Sequence, residues 1–367
     1  MRKNTVLVLM VVASFSVTGA LRAEISIDQL VEQAQITEGQ IAVRDLPRWK
    51  GARKILVRDI GMDLSDLTAS LEDVNVIVVQ SVAEAMQHVS DVDAIIGFCD
   101  AELIDAASRL IWLQIYWAGA EDCLSVERVG NGDVVMTNMQ KISSPVIAEH
   151  AIAMMMSLAR QLPQFVHRME AGAWDDRDEM TNGMMPIAGK KLLVVGLGGI
   201  GTEVARLGAA LGMRVSGTRN SSRSGPDYIE YVGLSDELFS LAAGADVVVN
   251  ALPLTEDTKN LFDSEFFAAI KPGAMFVNVG RGSTVVTDDL IAALESGRVS
   301  AAGLDVTEPE PLPADNPLWR RDDVIITPHV ASIGGDRERR RVLLLENIRR
   351  YVAGDHLLNV VDPAKGY

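Results

Sequence analysis

Short apolar runs alternate with amphipathic segments along most of the chain. One series, between Lys54 and Asn138, comprises KILVRD, VNVIVV, AIIGF, LQIYW and VVMTN, and a second, between Lys191 and Thr327, comprises KLLVV, MRVSG, DVVVNA, AMFVNV, AAGLDV and VIIT. Buried strands of a parallel sheet read as continuous apolar runs, with helices on the intervening segments. The pattern predicts an α/β protein with two doubly wound parallel sheets.

Helical segments frame the two series of strands. Residues 27–40 predict an acidic helical stretch, and the C-terminal tail predicts an amphipathic helix. Residues 143–169 predict one long helix whose N-cap is Ser143 or Ser144. We expect its methionines, Met154–Met156, to pack in the core.

Residues 1–23 have the pattern of a signal peptide. Arg2 and Lys3 precede an apolar run that ends in small residues at Ala20 or Ala23. The run is shorter than the roughly 20 residues that a membrane span needs. We expect a periplasmic or secreted protein with no membrane attachment once the peptide is removed. The alternatives are an uncleaved anchor and a misplaced start codon, the latter giving a cytoplasmic protein.

Charge and cysteine content exclude several classes of protein. The net charge of -16 argues against general affinity for nucleic acid or for an anionic membrane, because both require a cationic surface. Two cysteines, Cys99 and Cys123, are too few for a disulfide framework or a metal cage, so we expect no metal. We interpret both as core or near-loop residues and do not expect them to pair.

The segment KLLVVGLGGIGTEVARLGAALG predicts a dinucleotide site. Gly196, Gly198 and Gly201 follow an apolar strand and begin a helix. In this context the first glycine permits the tight turn, the second lets the backbone approach a pyrophosphate, and the third lets helix and strand pack closely. The N-terminus of the helix offers free N–H groups to the phosphates.

The next strand lacks the acid that accepts the ribose hydroxyls of NAD. The chain reads GTRNSSR here, with Arg219, Ser221, Ser222 and Arg223. Guanidinium and hydroxyl groups bind a 2′-phosphate by charge-assisted hydrogen bonds, whereas a carboxylate repels it. The segment therefore predicts NADP, with NAD possible; the alternative is a solvated basic loop.

Three later strands end in residues suited to chemistry. AMFVNVGRGS leads to Arg281, AAGLDVTEPEP to Asp305 and Glu310, and DVIITPHVAS to His329. Ligands of open α/β sheets bind beyond the carboxyl ends of the strands, so these side chains should converge beside the nicotinamide. Glu308, in the same EPEP run, is a rival for the role of Glu310.

These motifs resemble the D-isomer-specific 2-hydroxyacid dehydrogenases from about Lys54 to the end of the chain. The glycine turn, ALPLTEDTKNLF, FVNVGRGSTVVTDDLIAAL, GLDVTEPEP and TPH occur in the order and spacing of that family. LIWLQIYWAGAEDCL resembles its substrate loop, although many relatives have an aspartate and a second glycine where this chain has AGAED.

The resemblance implies a Rossmann cofactor domain, residues 144–331, inserted into a flavodoxin-like substrate domain, residues 24–143 and 332–367. The two crossings near Ser143 and Ser332 would act as a hinge. It also implies a homodimer and the reduction of a small 2-keto acid, such as glyoxylate or hydroxypyruvate, with NADPH. The cofactor-binding positions would be Gly196, Gly198, Gly199, Ile200, Gly201, Arg219, Ser221, Ser222, Arg223, Leu252, Pro253, Val279 and Asp305.

By the same resemblance, Arg281 binds the substrate, His329 is the acid/base, and Glu310 is the partner of the histidine. The backbone N–H groups of Ala118, Gly119 and Ala120 would hold the substrate carboxylate. Elementary chemistry agrees, since reduction of a keto acid leaves an alkoxide that an imidazolium can protonate. A carboxylate beside the imidazole stabilises its charged form, and a planar guanidinium binds a carboxylate with two hydrogen bonds.

Two other functions remain open on the sequence alone. A dinucleotide-sensing or partner-binding module on the same fold would be indicated by loss of Arg281, Glu310 or His329, and all three are present. A phosphite-type dehydrogenase is harder to separate. A formate-type enzyme is less similar, because its family members carry glutamine in place of Glu310.

Overall fold

The computed structural model describes residues 25–62, 71, 73–174, 183–335 and 337–366, and the predicted signal peptide lies outside these ranges. The strands are β1 (Glu38–Ala42), β2 (Lys54–Arg58), β3 (Asn75–Val79), β4 (Ala94–Ile96), β5 (Trp112–Gln114), β6 (Val135–Thr137), β7 (Lys191–Val195), β8 (Arg214–Thr218), β9 (Tyr231–Gly233), β10 (Val247–Asn250), β11 (Ala274–Asn278), β12 (Val299–Leu304), β13 (Val324–Ile326) and β14 (His356–Leu358).

The helices are α1 (Ile27–Ala34), α2 (Val82–His88), α3 (Ala101–Ala106), α4 (Glu121–Leu124), α5 (Glu127–Gly130), α6 (Ser144–Ala159), α7 (Leu162–Glu170), α8 (Gly199–Ala210), α9 (Leu238–Ala242), α10 (Ser264–Ala269), α11 (Thr287–Glu295) and α12 (Arg337–Ala353). Short 3-10 helices lie at Val43–Asp45, Ser235–Glu237, Gly282–Thr284 and Pro317–Arg320. Within the described part of the chain, no helix is both long and apolar enough to cross a bilayer.

The first sheet has five parallel strands in the order β3-β2-β4-β5-β6. Counted along the chain, this is the order 2-1-3-4-5 of the flavodoxin-like folds. One face packs against α1 and α12 through a core that includes Leu30, Trp112 and Tyr351, and the other face packs against α3 and α5. The predicted flavodoxin-like sheet is confirmed.

The second sheet has seven parallel strands in the order β13-β12-β11-β10-β7-β8-β9. Its first six strands along the chain follow the Rossmann order 3-2-1-4-5-6. Helix α6 covers one face, with Met154 and Met155 buried as expected and Met156 partly buried against the same core. A cluster of phenylalanines fills the other face. The predicted Rossmann sheet is confirmed, although β9 at its edge was not predicted.

Two predicted helices are wrong in extent. The helix predicted over residues 143–169 divides into α6 and α7 at Gln161, whose φ is 54°. Pro163 explains the break, because its ring clashes with the carbonyl four residues earlier and it donates no N–H. The acidic stretch is helical only to Ala34, and its remainder enters β1, which pairs antiparallel with β14.

Cys99 and Cys123 form a disulfide, so the expectation that they do not pair is wrong. Cys99 follows β4 and Cys123 lies in α4, which follows β5, the strand next to β4 in the sheet. Their Cα atoms are 5.3 Å apart, within the range that a disulfide spans. The two cysteines are 24 positions apart in the sequence, which conceals this proximity.

Candidate active site

The glycine turn between β7 and α8 has the geometry of a dinucleotide site. Gly196 has a φ of 93°, a conformation that L side chains rarely adopt. A Cβ on Gly201 would overlap the Gly196 carbonyl, so only glycine lets the helix approach the turn. A Cβ on Gly198 would meet no atom within 4 Å, which leaves space for a pyrophosphate at the N-terminus of α8.

The other predicted cofactor contacts border this turn. Gly199 and Ile200 begin α8, Leu252 and Pro253 follow β10, and Val279 follows β11. A Cβ on Gly196 would lie 2.9 Å from Leu252 Cδ2, so Leu252 packs against the turn. Because β10 is the neighbour of β7, these residues lie along one carboxyl edge of the sheet.

The GTRNSSR segment begins in the last two residues of β8 and contains two arginines that differ in their hydrogen bonds. The Nε atom of Arg219 is buried and has no hydrogen-bond partner among the described residues. Arg223 Nη1 donates to the Tyr231 hydroxyl at 2.8 Å and lies 2.7 Å from Glu237 Oε2. Ser222 Oγ is 2.6 Å from Ser224 Oγ.

Glu237 is a carboxylate in this region that the sequence did not indicate. Hydrogen bonds from the Tyr231 hydroxyl and the Leu234 amide, with the nearby Arg223 guanidinium, lower the pKa of Glu237 below its ordinary value. It is therefore charged at neutral pH. A phosphate at Arg223 must use the Nε and Nη2 donors of that residue, because Nη1 is already engaged.

His329 and Glu310 form a close pair at the ends of β12 and β13. His329 Nδ1 is 2.7 Å from Glu310 Oε1, and both side chains are about half exposed, at 49% and 42%. Since Nδ1 is taken by the carboxylate, Nε2 is the nitrogen left for proton transfer. Glu308 instead accepts a hydrogen bond from the Ser283 hydroxyl, so of the two rival glutamates Glu310 contacts the imidazole.

Asp305 stabilises, through hydrogen bonds, the turn that contains His329. Its buried carboxylate, 3% exposed, accepts hydrogen bonds from the Val330 and Ala331 amides and from the Thr327 hydroxyl. Its backbone carbonyl accepts the His329 N–H at 2.8 Å. Contact of Asp305 with the nicotinamide carboxamide stays a prediction, because its side chain is directed at donors of the protein.

His150 joins the same cluster from helix α6. Its Nε2 lies 2.9 Å from Thr327 Oγ1 and 3.6 Å from Asp305 Oδ1. His150 is therefore a polar neighbour of the Asp305 carboxylate and the Thr327 hydroxyl.

Arg281 lies against the predicted substrate loop. Arg281 Nη2 occupies the space that a Cβ on Gly119 would take, so glycine permits this close approach. Arg281 Nε donates to Glu121 Oε1 at 2.9 Å and Nη1 donates to the Gly280 carbonyl at 2.9 Å. The loop itself is held by Asn138 Nδ2, which donates to the Ala118 carbonyl at 2.6 Å. Glu121 was not predicted as part of the site.

A buried polar network holds the backbone of Arg281. The Arg281 carbonyl accepts hydrogen bonds from Asn278 Nδ2 at 3.1 Å and Thr284 Oγ1 at 2.7 Å. Asn250 Nδ2 links the two, donating to Asn278 Oδ1 and Thr284 Oγ1. The only sequence signal for this network is a polar residue at the end of an otherwise apolar strand, in VVVN and AMFVN.

Backbone packing brings the three strand ends together. A Cβ on Gly282 would overlap the Thr307 carbonyl, which places the turn after β11 against the turn after β12. The His329 N–H to Asp305 carbonyl bond joins the turns after β12 and β13. A cation, an acid–imidazole pair and the glycine turn thus share one edge of the sheet.

The chain is similar to dehydrogenases and reductases over most of its length. Residues 152–331 match the family model described as D-isomer specific 2-hydroxyacid dehydrogenase, NAD binding domain. A glyoxylate reductase from Thermococcus onnurineus is 31% identical over 280 residues, which are 74% of this chain and 83% of that protein.

Solved structures of such enzymes are also similar to this chain over most of its length. A D-isomer specific 2-hydroxyacid dehydrogenase from Xanthobacter autotrophicus, in complex with NADPH and MES, is 30% identical with a TM-score of 0.70, covering 87% of this chain and all of that one. An NADPH-dependent glyoxylate/hydroxypyruvate reductase from Sinorhizobium meliloti, in complex with NADP and sulfate, is 25% identical with a TM-score of 0.72, covering 86% of this chain and all of that one.

Proposed function

The chain belongs to the D-isomer specific 2-hydroxyacid dehydrogenases, and from this we propose that it reduces a small 2-keto acid to the D-2-hydroxy acid with NADPH. Glyoxylate and hydroxypyruvate are the substrates we favour. The observation that carries the proposal is the His329–Glu310 pair, 2.7 Å apart, on the same sheet edge as Arg281 and the glycine turn. A screen of 2-keto acids with the purified protein tests it.

Each side chain has a defined task in this reaction. NADPH, when bound, supplies the hydride that reduces the carbonyl carbon. Arg281 has three N–H groups beyond the two engaged by Glu121 and Gly280, and with the loop amides at Gly119 it binds the substrate carboxylate. His329 Nε2 donates a proton to the oxygen of the carbonyl, and Glu310 stabilises the imidazolium form that carries this proton.

The cofactor is NADP in this proposal, with NAD as a poorer alternative. The open position at Gly198 and the N-terminus of α8 accommodate the pyrophosphate. The unpartnered Nε of Arg219 supports a 2′-phosphate at the end of β8, where Ser221, Ser222 and the free donors of Arg223 add hydrogen bonds. The structural neighbours that contain NADPH or NADP are compatible with this assignment.

Arg219→Ala is expected to raise the KM for NADPH by about 10- to 100-fold, the value of one or two charge-assisted hydrogen bonds, and to leave the KM for NADH within about twofold. Steady-state kinetics with each cofactor measure the two effects. Arg214→Ala is the matched control, because Arg214 is an exposed arginine at the start of β8, the strand that Arg219 follows, and it pairs with Glu230. Equal losses with both cofactors would contradict the 2′-phosphate assignment.

The two sheets form separate domains in this proposal, residues 24–143 with 332–367 and residues 144–331, and the crossings between them act as a hinge. One side chain supports this division, since Arg340 Nη2 donates to Ser143 Oγ at one crossing and to the Ser332 carbonyl at the other. Closure over the substrate excludes water from the reacting atoms. A lower radius of gyration with NADPH and oxalate bound, measured by X-ray scattering, is the expected sign of closure.

The protein is a homodimer in this proposal, and helix α7 supplies part of the interface. None of its side chains is buried, and Leu162, Val166 and Met169 are 48%, 48% and 73% exposed. Trp174, just beyond the helix, is 97% exposed. Apolar patches of this kind mark contacts between proteins. Light scattering of the purified protein measures the mass, and a monomer would contradict the proposal.

The protein is exported in this proposal, and the Cys99–Cys123 disulfide supports it, because disulfides persist in oxidising compartments. NADPH does not cross bilayers, so an exported form must obtain its cofactor outside the cytoplasm. Fractionation of cells that express the chain with and without residues 1–23 tests the location. Full-length, unprocessed protein in the cytoplasm would favour the cytoplasmic alternative.

A further inference from the structure

Glu121 introduces an unexpected negative charge beside the substrate cation. It is the first residue of α4, directly after the loop of Ala118 to Ala120, and its Oε1 accepts the Nε–H of Arg281 at 2.9 Å. The two side chains are partly buried, at 28% and 27% exposure. A carboxylate at this point repels the carboxylate of a 2-keto acid, so its presence needs an explanation.

The contact fixes the orientation of the guanidinium. A guanidinium is a planar fork with five N–H donors, and Glu121 and the Gly280 carbonyl each take one. Gly280 is the chain neighbour of Arg281, so among the described residues Glu121 is the distant partner that fixes the plane. With Nε held, Nη2 lies over the Gly119 backbone, which places the remaining donors at the predicted carboxylate site.

The pair also joins the two halves of the site. Glu121 follows β5 in the first sheet, and Arg281 follows β11 in the second, 160 residues further along the chain. Cys123 lies two residues after Glu121 in α4, and its disulfide with Cys99 links this helix to the segment that follows β4. The Glu121 carboxylate therefore lies on a short helix that the disulfide links to the first sheet.

We propose that Glu121 is a positioning residue for Arg281, which holds the guanidinium across the cleft in the orientation that binds the substrate carboxylate. The inference rests on the proposed function, because it concerns the same substrate. In this role Glu121 strengthens substrate binding, although its negative charge alone would weaken it. Removal of a mere negative charge improves binding of an anionic substrate, whereas removal of a positioning residue weakens it.

The test compares Glu121→Ala and Glu121→Gln with Asp122→Asn, which removes an exposed carboxylate one residue away. Glu121→Ala should lower kcat/KM for glyoxylate by about 10-fold or more, the value of one charged hydrogen bond, with the larger share in KM. Glu121→Gln should restore part of the loss, because its amide oxygen can still accept the Nε–H. Asp122→Asn should change kcat/KM by less than about twofold.

A second readout does not depend on turnover. Affinity for oxalate, an unreactive dicarboxylate, should fall about 10-fold in Glu121→Ala with NADPH bound, and affinity for NADPH alone should not change. Tighter oxalate binding, or a loss equal to that of Asp122→Asn, would overturn the inference. A wild-type protein that turns over no 2-keto acid would refute the proposed function instead, and in that case oxalate affinity alone decides the role of Glu121.

Discussion

Replacing His329 by glutamine is expected to lower kcat for 2-keto acid reduction by about 10²- to 10⁴-fold, the usual contribution of a positioned general acid. The imidazole is held by Glu310 through Nδ1, so Nε2 is the atom that delivers the proton. Glutamine retains a polar group of similar size and cannot transfer a proton in this way. Single-turnover and steady-state kinetics with NADPH measure the loss.

A histidine outside the site, changed in the same way, is the control for effects that are not specific to His329. His88→Gln is suitable, because His88 ends helix α2 in the first sheet domain and takes no part in the site. The KM for NADPH should be unchanged in both variants. If His329→Gln kept more than about a tenth of the wild-type kcat, the proton would have another donor and the assignment would fail.

Arg281→Ala is expected to lower kcat/KM for glyoxylate by about 10²- to 10⁴-fold, as two charge-assisted hydrogen bonds to the substrate carboxylate are lost. The change also leaves Glu121 without its cation, which adds repulsion of the substrate. Arg281→Lys should recover only part of the activity, because an ammonium is a point charge and cannot form the planar two-bond contact.

Binding of NADPH separates this effect from misfolding. The backbone of Arg281 is held by Asn278 and Thr284 through its carbonyl, so truncation of the side chain should leave the local fold intact. NADPH affinity and thermal stability should therefore stay near those of the wild-type protein. Full activity in Arg281→Lys would show that a charge alone suffices and would remove the argument for an oriented guanidinium.

The sequence predicted those features that depend on local spacing. The glycine turn is an example, since Gly196, Gly198 and Gly201 are close in sequence and their roles follow from one strand, one turn and one helix. Arg281 and His329 could be found because each ends an apolar strand, and the carboxyl ends of parallel strands meet at one edge. The pattern of apolar runs also predicted two doubly wound sheets, and the family resemblance implied their Rossmann and flavodoxin-like arrangements.

Features that depend on distant neighbours were missed. Glu121 and the disulfide partner of Cys99 lie far along the chain from the groups that they contact, and no periodicity of the sequence brings them together. The buried network of Asn250, Asn278 and Thr284 escaped notice for the same reason. The break between α6 and α7 was local, and Pro163 was the signal that the long-helix prediction overlooked.

The reduction of small 2-keto acids with NADPH, as we propose for this chain, can be measured directly. The most direct measurement mixes the purified protein with glyoxylate, hydroxypyruvate and longer 2-keto acids in separate reactions, with NADPH and NADH in parallel, and follows the loss of reduced nicotinamide. We expect turnover of glyoxylate or hydroxypyruvate that is faster with NADPH than with NADH. A folded protein that binds NADPH and turns over none of these acids would contradict it.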